Sequence, residues 1–259
     1  MNLTQSMILG VIQGLTEFLP VSSSGHLVIA SKLLGLESNI AFDVLLHFAT
    51  LLAVCVYFAS DIFKIIKAFL TKRSLEDPYF KLGLLVIAGS IPTAIIGFTL
   101  QDIFEAMFSS LFTVGIFLLI TGMLLMFADR FGKSRKDIQK FGLFDSLIIG
   151  TAQGCAIAPG LSRSGTTVSA SLLAGLEPSL AAKFSFLLSM PAILGASVFK
   201  AKAMLSNASL EALAGFMAAA ISGYIAVRIF IKLIEKRQIR WFSYYCFIAG
   251  AISVILGFF

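Results

Sequence analysis

Six long apolar runs dominate this sequence, each close to the ~20 residues that a helix needs to cross a bilayer. They lie at about 41–60, 82–100, 108–128, 184–200, 210–231 and 241–259. Hydrophobic residues make up 58% of the 259 residues and charged residues only 13%, whereas a soluble domain has about 45–50% and 25%. This composition excludes a soluble globular enzyme and a disordered scaffold. The sequence predicts an all-α polytopic membrane protein.

The basic residues cluster between these runs. Fifteen of the 20 Lys and Arg residues fall within 64–81, 130–140 and 228–240. Basic links between apolar runs are typical of cytoplasmic loops. We therefore expect these links inside, both termini outside, and no nucleic-acid partner despite the net charge of +6.

Two further apolar segments, at about 3–36 and 143–176, are broken in the middle. Their breaks are rich in Pro, Gly and Ser and run from Pro20 to Gly25 and from Pro159 to Gly165. The apolar stretches on either side are short for a full crossing. We interpret each segment as a re-entrant helical hairpin, a feature that points to a site when it recurs in two halves of a chain.

The two hairpins belong to an internal repeat. A shift of 140 residues aligns them without a gap, with 14 identities in the 30 positions 8–37. The sequence therefore predicts a single membrane domain over 1–259, with repeat one at about 1–128 and repeat two at about 141–259. Each half has one hairpin and three transmembrane helices. Because three is odd, the second half should start on the opposite face, which gives an inverted-topology repeat whose hairpin tips meet in a shared cavity.

The hairpin tips have the composition of an anion site. Each tip precedes a helix, whose first N–H groups and dipole favour a negative guest, phosphate above all. Arg163 adds a planar fork of donors suited to phosphate, and an Arg in a span-like segment is expected to be functional. Plain N-capping by the serines, or a structural Arg that binds helix carbonyls, is the alternative. The candidate phosphate-binding residues are Ser22, Ser24, Gly25, Ser162, Arg163 and Ser164.

The first tip also carries titratable groups. Glu17 and His26 flank it, which favours an acid–base or metal role. Gln13 lies one helical turn before Glu17 and, with its repeat counterpart Gln153, is a supporting residue. His47 follows Asp43 by four positions. We interpret both residues as structural, and the alternative for His47 is that it is a partner of the site.

Charge balance suggests a cation. A bound diphosphate and an ionised Glu17 outweigh the single positive charge of Arg163, so a divalent cation is expected with Glu17 and the substrate phosphates. Mg²⁺ suits this set of oxygen donors, with Ca²⁺ as the alternative.

Two motifs resemble the signatures of a known family. Gln13-Gly-Leu-Thr-Glu17, followed by the Ser-rich turn and His26, is similar to the first signature of the undecaprenyl-diphosphate phosphatases, the bacitracin-resistance family. Pro159-Gly-Leu-Ser-Arg-Ser-Gly-Thr-Thr167 is similar to the second. Where the first signature allows Glu or Gln, this chain has Gln13, which leaves Glu17 as the charged ligand.

The resemblance implies an integral membrane phosphatase that converts undecaprenyl diphosphate to undecaprenyl phosphate. Such an enzyme recycles the lipid carrier for peptidoglycan synthesis and confers bacitracin resistance. By position, the catalytic residues would be Glu17, Ser23, His26 and Arg163. The resemblance also adds Thr167 to the residues that would bind the phosphates. The attacking group stays open between His26, Ser23 and a water held by the metal.

The resemblance also implies a setting for the enzyme. It would be a multi-pass protein of the bacterial cytoplasmic membrane, and we expect its active site to open toward the outer face. A homodimer is an open alternative to a monomer. A transporter or flippase of an anionic lipid is the alternative function, although it would not need Glu17 and His26 beside the phosphate.

Overall fold

The chain folds into helices. The computed structural model describes residues 1–37, 39–71, 73–107, 110–133, 135–202 and 209–257. Across these ranges the helices are α1 (Leu3–Phe18), α2 (Ser23–Leu33), α3 (Ile40–Tyr57), α4 (Ala59–Thr71), α5 (Pro78–Thr99), α6 (Gln101–Met107), α7 (Leu111–Phe131), α8 (Leu143–Cys155), α9 (Arg163–Leu173), α10 (Pro178–Phe199), α11 (Leu210–Glu235) and α12 (Arg240–Leu256). The predicted all-α polytopic class is confirmed.

Five of these helices are long and apolar enough to cross a membrane. They are α3, α5, α7, α10 and α11, and each coincides with a predicted apolar run. The sixth run gives α12, which is apolar but has only 17 residues. The run was predicted to reach residue 259, and residues 258–259 lie outside the described part of the chain. The inverted orientation of the two halves stays a prediction.

The first basic link differs from the simple loop that its charge suggested. Its first part, up to Thr71, belongs to the amphipathic helix α4. One face packs against α5, where Phe69 contacts Phe80. The other exposes Phe63, Ile66 and Leu70 beside lysines. Apolar residues at this helical spacing form a stripe, so the segment can lie along a membrane surface rather than loop through water.

The three basic stretches gather at one end of the helix bundle. Lys81 donates to the Gln139 carbonyl at 2.6 Å, which joins the first stretch to the second. Arg240, at the start of α12, lies 3.3 Å from Asp129 near the end of α7. This common end is what the charge pattern requires if all three stretches face the same compartment.

Each hairpin packs against a long helix of the other half of the chain. Helix α1 lies along α11, and α8 lies along α5. Small residues let the backbones touch: a Cβ on Gly10 would overlap the Gly215 backbone, and a Cβ on Gly150 would overlap Gly89. Close packing of this kind is how helices associate in lipid. It fixes the position of each hairpin along its partner helix.

Candidate active site

Short turns separate the two helices of each hairpin. Residues 19–22 join α1 to α2, and residues 156–162 join α8 to α9. Ser22 caps α2 by accepting from the Gly25 N–H at 3.3 Å, and Ser162 caps α9 by accepting from the Gly165 N–H at 3.1 Å. The capping role that was the alternative for the serines is therefore present, and it uses the hydroxyl oxygens of Ser22 and Ser162.

The two hairpin tips meet through an ion pair. The guanidinium of Arg163, the first residue of α9, contacts Glu17 Oε1 near the end of α1. Ser164 adds a second link by donating to the Leu19 carbonyl at 3.2 Å. The sequence-predicted pair of opposite charges is thus brought together from residues 146 positions apart in the chain.

Glu17 is the centre of this cluster and is only 4% exposed. Its Oε2 accepts from Gln13 Nε2 at 2.7 Å and from the Ser23 hydroxyl at 2.6 Å. A buried carboxylate is costly unless it is paired and hydrogen-bonded, and here it is both. The predicted grouping of Gln13, Glu17, Ser23 and Arg163 therefore exists as one connected network.

His47 also belongs to this network. Its Nε2 lies 3.4 Å from Glu17 Oε2, and its Nδ1 lies 2.8 Å from the Asp43 carbonyl. A carbonyl only accepts, so Nδ1 carries a proton and Nε2 is turned toward the carboxylate. The structural interpretation that led for His47 misses this contact. The sequence feature that could have indicated a functional role for His47 is its position as a titratable residue inside an apolar span.

His26 lies on another side of the tip. Its Nδ1 is 2.8 Å from the Ser22 carbonyl, and its Nε2 is 2.6 Å from the Tyr245 hydroxyl of α12. Its partners are therefore different from those of Glu17, although both residues were predicted to flank one site. No pattern in the sequence pointed to Tyr245, one of several aromatic residues in an apolar run.

The remaining candidates divide between the tips and the packing around them. The hydroxyls of Ser22 and Ser24 lie 3.3 Å apart, as do those of Ser162 and Ser164. Thr167 is turned away from the tip: its hydroxyl donates to the Arg163 carbonyl and lies 2.5 Å from the Ser185 hydroxyl. Gln153 donates to Thr93 and to the Leu188 carbonyl, so it supports helix packing rather than Glu17.

The donor set around Glu17 fits a hard divalent cation. Gln13 Oε1 is fully buried and has no hydrogen-bond partner in the described part of the chain. It lies in the same network as the Glu17 carboxylate and the Ser23 hydroxyl, and oxygen ligands are what Mg²⁺ and Ca²⁺ take. Among the described residues, no three His, Cys, Asp or Glu side chains form a metal cluster. Substrate oxygens would therefore have to complete the coordination.

The chain is similar to known proteins over nearly its whole length. A family model described as bacitracin resistance protein BacA matches residues 6–252. The undecaprenyl-diphosphatase of Carboxydothermus hydrogenoformans is 46% identical over 264 residues, which cover 99% of this chain and 98% of that protein. Those of Methanobrevibacter smithii and Alkaliphilus metalliredigens are each 44% identical, again over 99% of this chain and 98% and 99% of theirs. The chain therefore belongs to the bacitracin resistance protein BacA family.

Proposed function

We propose that this chain is a membrane phosphatase that hydrolyses undecaprenyl diphosphate to undecaprenyl phosphate and phosphate. The relatives named undecaprenyl-diphosphatase support the substrate. The observation that carries the chemistry is the contact of Glu17 with both Ser23 and Arg163. This unites a base, a hydroxyl and a phosphate-binding fork at the junction of two hairpin tips. The activity regenerates the lipid carrier for peptidoglycan and accounts for bacitracin resistance.

Arg163 binds the phosphates in this proposal. Its guanidinium has five N–H donors, so it can keep contact with Glu17 and still donate to substrate oxygens. The first N–H groups of α2 and α9 add partial positive charge at the same junction. Together they stabilise the charge that spreads over the transferring group in the transition state.

Ser23 is the attacking group that the hydrogen bonds favour. Its hydroxyl donates to Glu17 Oε2 at 2.6 Å, the arrangement of a nucleophile with its base. Ser23 Oγ forms a bond to the terminal phosphorus and its proton passes to Glu17. The bond from phosphorus to the bridging oxygen breaks, and undecaprenyl phosphate leaves. Glu17 gives this proton to the departing phosphate oxygen, accepts a proton from the water that attacks the phosphoserine, and returns it to Ser23 Oγ as the bond from that oxygen to phosphorus breaks.

A divalent cation, Mg²⁺ in the first place, is part of the proposal. Glu17, Ser23 and Gln13 Oε1 would hold it together with the substrate phosphates. When bound, it supplies positive charge that neutralises the diphosphate. We expect chelator to abolish phosphate release and added Mg²⁺ to restore it. Full turnover in chelator would refute the requirement.

The membrane orientation is also a proposal. We infer that the chain lies in the cytoplasmic membrane with its basic links inside and its active site open to the outer face. The gathering of the basic stretches at one end of the bundle supports the first part. Reporter fusions after Lys136 and at the C-terminus should report opposite sides. The homodimer stays a prediction.

The decisive experiment is phosphate release by the purified protein in detergent, with undecaprenyl diphosphate as substrate. Detergent removes the two sides of the membrane, so only an enzyme gives a signal. We expect release that saturates with substrate and disappears in Glu17→Gln. A folded protein that releases no phosphate but moves the lipid across vesicle membranes would support the transporter alternative.

A further inference from the structure

The His26 ring is held by two partners from opposite ends of the chain. Nδ1 lies 2.8 Å from the Ser22 carbonyl, within the first hairpin. Nε2 lies 2.6 Å from the hydroxyl of Tyr245, 219 residues later. The two rings are also stacked, with centroids 5.6 Å apart and planes 15° from parallel. Both ring nitrogens are therefore engaged.

The partners determine where the ring proton lies. The Ser22 carbonyl can only accept, so it binds Nδ1–H. In the neutral ring Nε2 then carries a lone pair, and the Tyr245 hydroxyl can donate to it. The two bonds together select one tautomer and one ring orientation.

Helix α12 also contacts the first hairpin tip through Cys246, the residue after Tyr245. The Cys246 thiol donates to the Pro20 carbonyl at 3.5 Å, and Cys246 is fully buried beside Val21 in one apolar cluster. Tyr245 therefore stands on a part of α12 that is already fixed against the tip. Its hydroxyl reaches His26 from a rigid element, which is the requirement for positioning a side chain.

We propose that Tyr245 is a positioning residue for His26. Its hydroxyl and ring hold the imidazole at the tip with Nε2 as the acceptor. The proposal rests on the proposed phosphatase function, in which His26 is one of the predicted catalytic groups. Tyr245 acts through His26 and has no contact with the Glu17 network in the described part of the chain.

The matched variants are Tyr245→Phe, Tyr245→Leu and the control Tyr244→Phe. Tyr245 is 46% exposed and Tyr244 is 45% exposed, so loss of either hydroxyl leaves no buried cavity. Phe keeps the stacked ring and removes only the hydrogen bond, whereas Leu removes both. We expect kcat to fall by roughly 10-fold for Phe and 100-fold for Leu, because misplacement of a catalytic group has costs of this order. KM should change little, and Tyr244→Phe should match the parent.

A spectroscopic measurement tests the contact without relying on turnover. The chain has only two histidines, so ¹⁵N-histidine labelling gives two ring systems, and His26→Gln assigns them. We expect the Nε2 resonance of His26 to move in Tyr245→Phe while both His47 resonances stay in place. Tyr244→Phe should move neither ring.

The two measurements separate the inference from the function. A parent that releases no phosphate refutes the proposed function, and the resonance shift still tests the contact. An active parent with unchanged kcat in both Tyr245 variants refutes the positioning role. An unmoved His26 resonance in Tyr245→Phe refutes the hydrogen bond itself.

Discussion

The two hairpins share a capping hydrogen bond and differ in their chemistry. In each, a serine caps the second helix and its hydroxyl lies 3.3 Å from that of the serine two positions later. The residues that differ are those that carry charge. Glu17 matches Ile157 in the repeat, and Ser23 matches Arg163. The repeat therefore supplies two similar helix N-termini. The proposed base, Glu17, lies in the first hairpin, and the phosphate-binding guanidinium of Arg163 lies in the second.

The turns before these helices also differ. Ser22 has φ of 69°, a region that side chains rarely adopt, whereas Ser162 has φ of −65°. In the second hairpin the positive φ falls on Gly160 instead, at 92°. Strained backbone persists where the surrounding structure imposes it and is concentrated at active sites. The first hairpin, which carries Glu17 and Ser23, is therefore the strained one of the pair.

The largest expected effect comes from removing Glu17, the proposed catalytic base, which the second hairpin lacks. Glu17→Gln keeps the shape of the side chain and removes its charge, so Ser23 loses its proton acceptor. We expect turnover to fall by at least about three orders of magnitude. Ile157→Gln places the same amide at the matching position and should leave turnover within about twofold, since Ile157 contributes no polar group. Phosphate release by both folded variants is the measurement, and equal losses would refute the division of roles.

The next largest effect concerns the guanidinium of Arg163 in the second hairpin. Arg163→Lys keeps the charge but meets the phosphate oxygens as a point charge. We expect turnover to fall by about two to four orders of magnitude, or roughly 3–5 kcal/mol of transition-state stabilisation. Substrate binding should weaken less, because the helix N-termini still hold the ground state. Near-parental turnover in a monodisperse Lys variant would return Arg163 to a structural role.

A smaller effect is expected at His47, the residue of α3 that lies against Glu17. The shift of 140 places Leu187 opposite His47, so His47→Leu removes another difference between the halves. We expect a roughly 10- to 100-fold loss of turnover, because Glu17 loses a polar neighbour. His47→Gln should retain more activity, since its amide can donate to the carboxylate. Parental rates for His47→Leu would show that the 3.4 Å contact has no role in the reaction.

The repeat made much of the site predictable. Because three predicted transmembrane helices follow each hairpin, the two hairpins were expected to enter from opposite faces and their tips to meet, and Glu17 and Arg163 do meet. His47 was predicted as a partner of the site only as the alternative, and Tyr245 was not predicted at all, because their place depends on how α3 and α12 pack around the tips. That packing is set by small contacts such as Gly115 against Gly250, which no local pattern in the sequence specifies. Apolar periodicity predicts that a helix exists, and close contacts between helices decide which face it turns to the site.

The smallest effect tests the strain at Ser22. Ser22→Gly and Ser162→Gly both remove a capping hydroxyl, which costs a few tenths of a kcal/mol, and both make the unfolded chain more flexible, which costs about 0.4–1 kcal/mol. At Ser162, where φ is −65°, nothing offsets these losses. At Ser22, where φ is 69°, glycine also relieves a backbone penalty of about 1 kcal/mol or more.

We therefore expect Ser162→Gly to lower the apparent Tm in detergent by about 2–4 °C and Ser22→Gly to leave it nearly unchanged. Thermal unfolding of the two variants beside the parent is the measurement. Equal shifts would mean that the positive φ at Ser22 costs nothing, and the strain would then no longer distinguish the catalytic hairpin from its partner. A higher Tm for Ser22→Gly, together with reduced turnover, would show that the first hairpin gives up stability to hold Ser23 against Glu17.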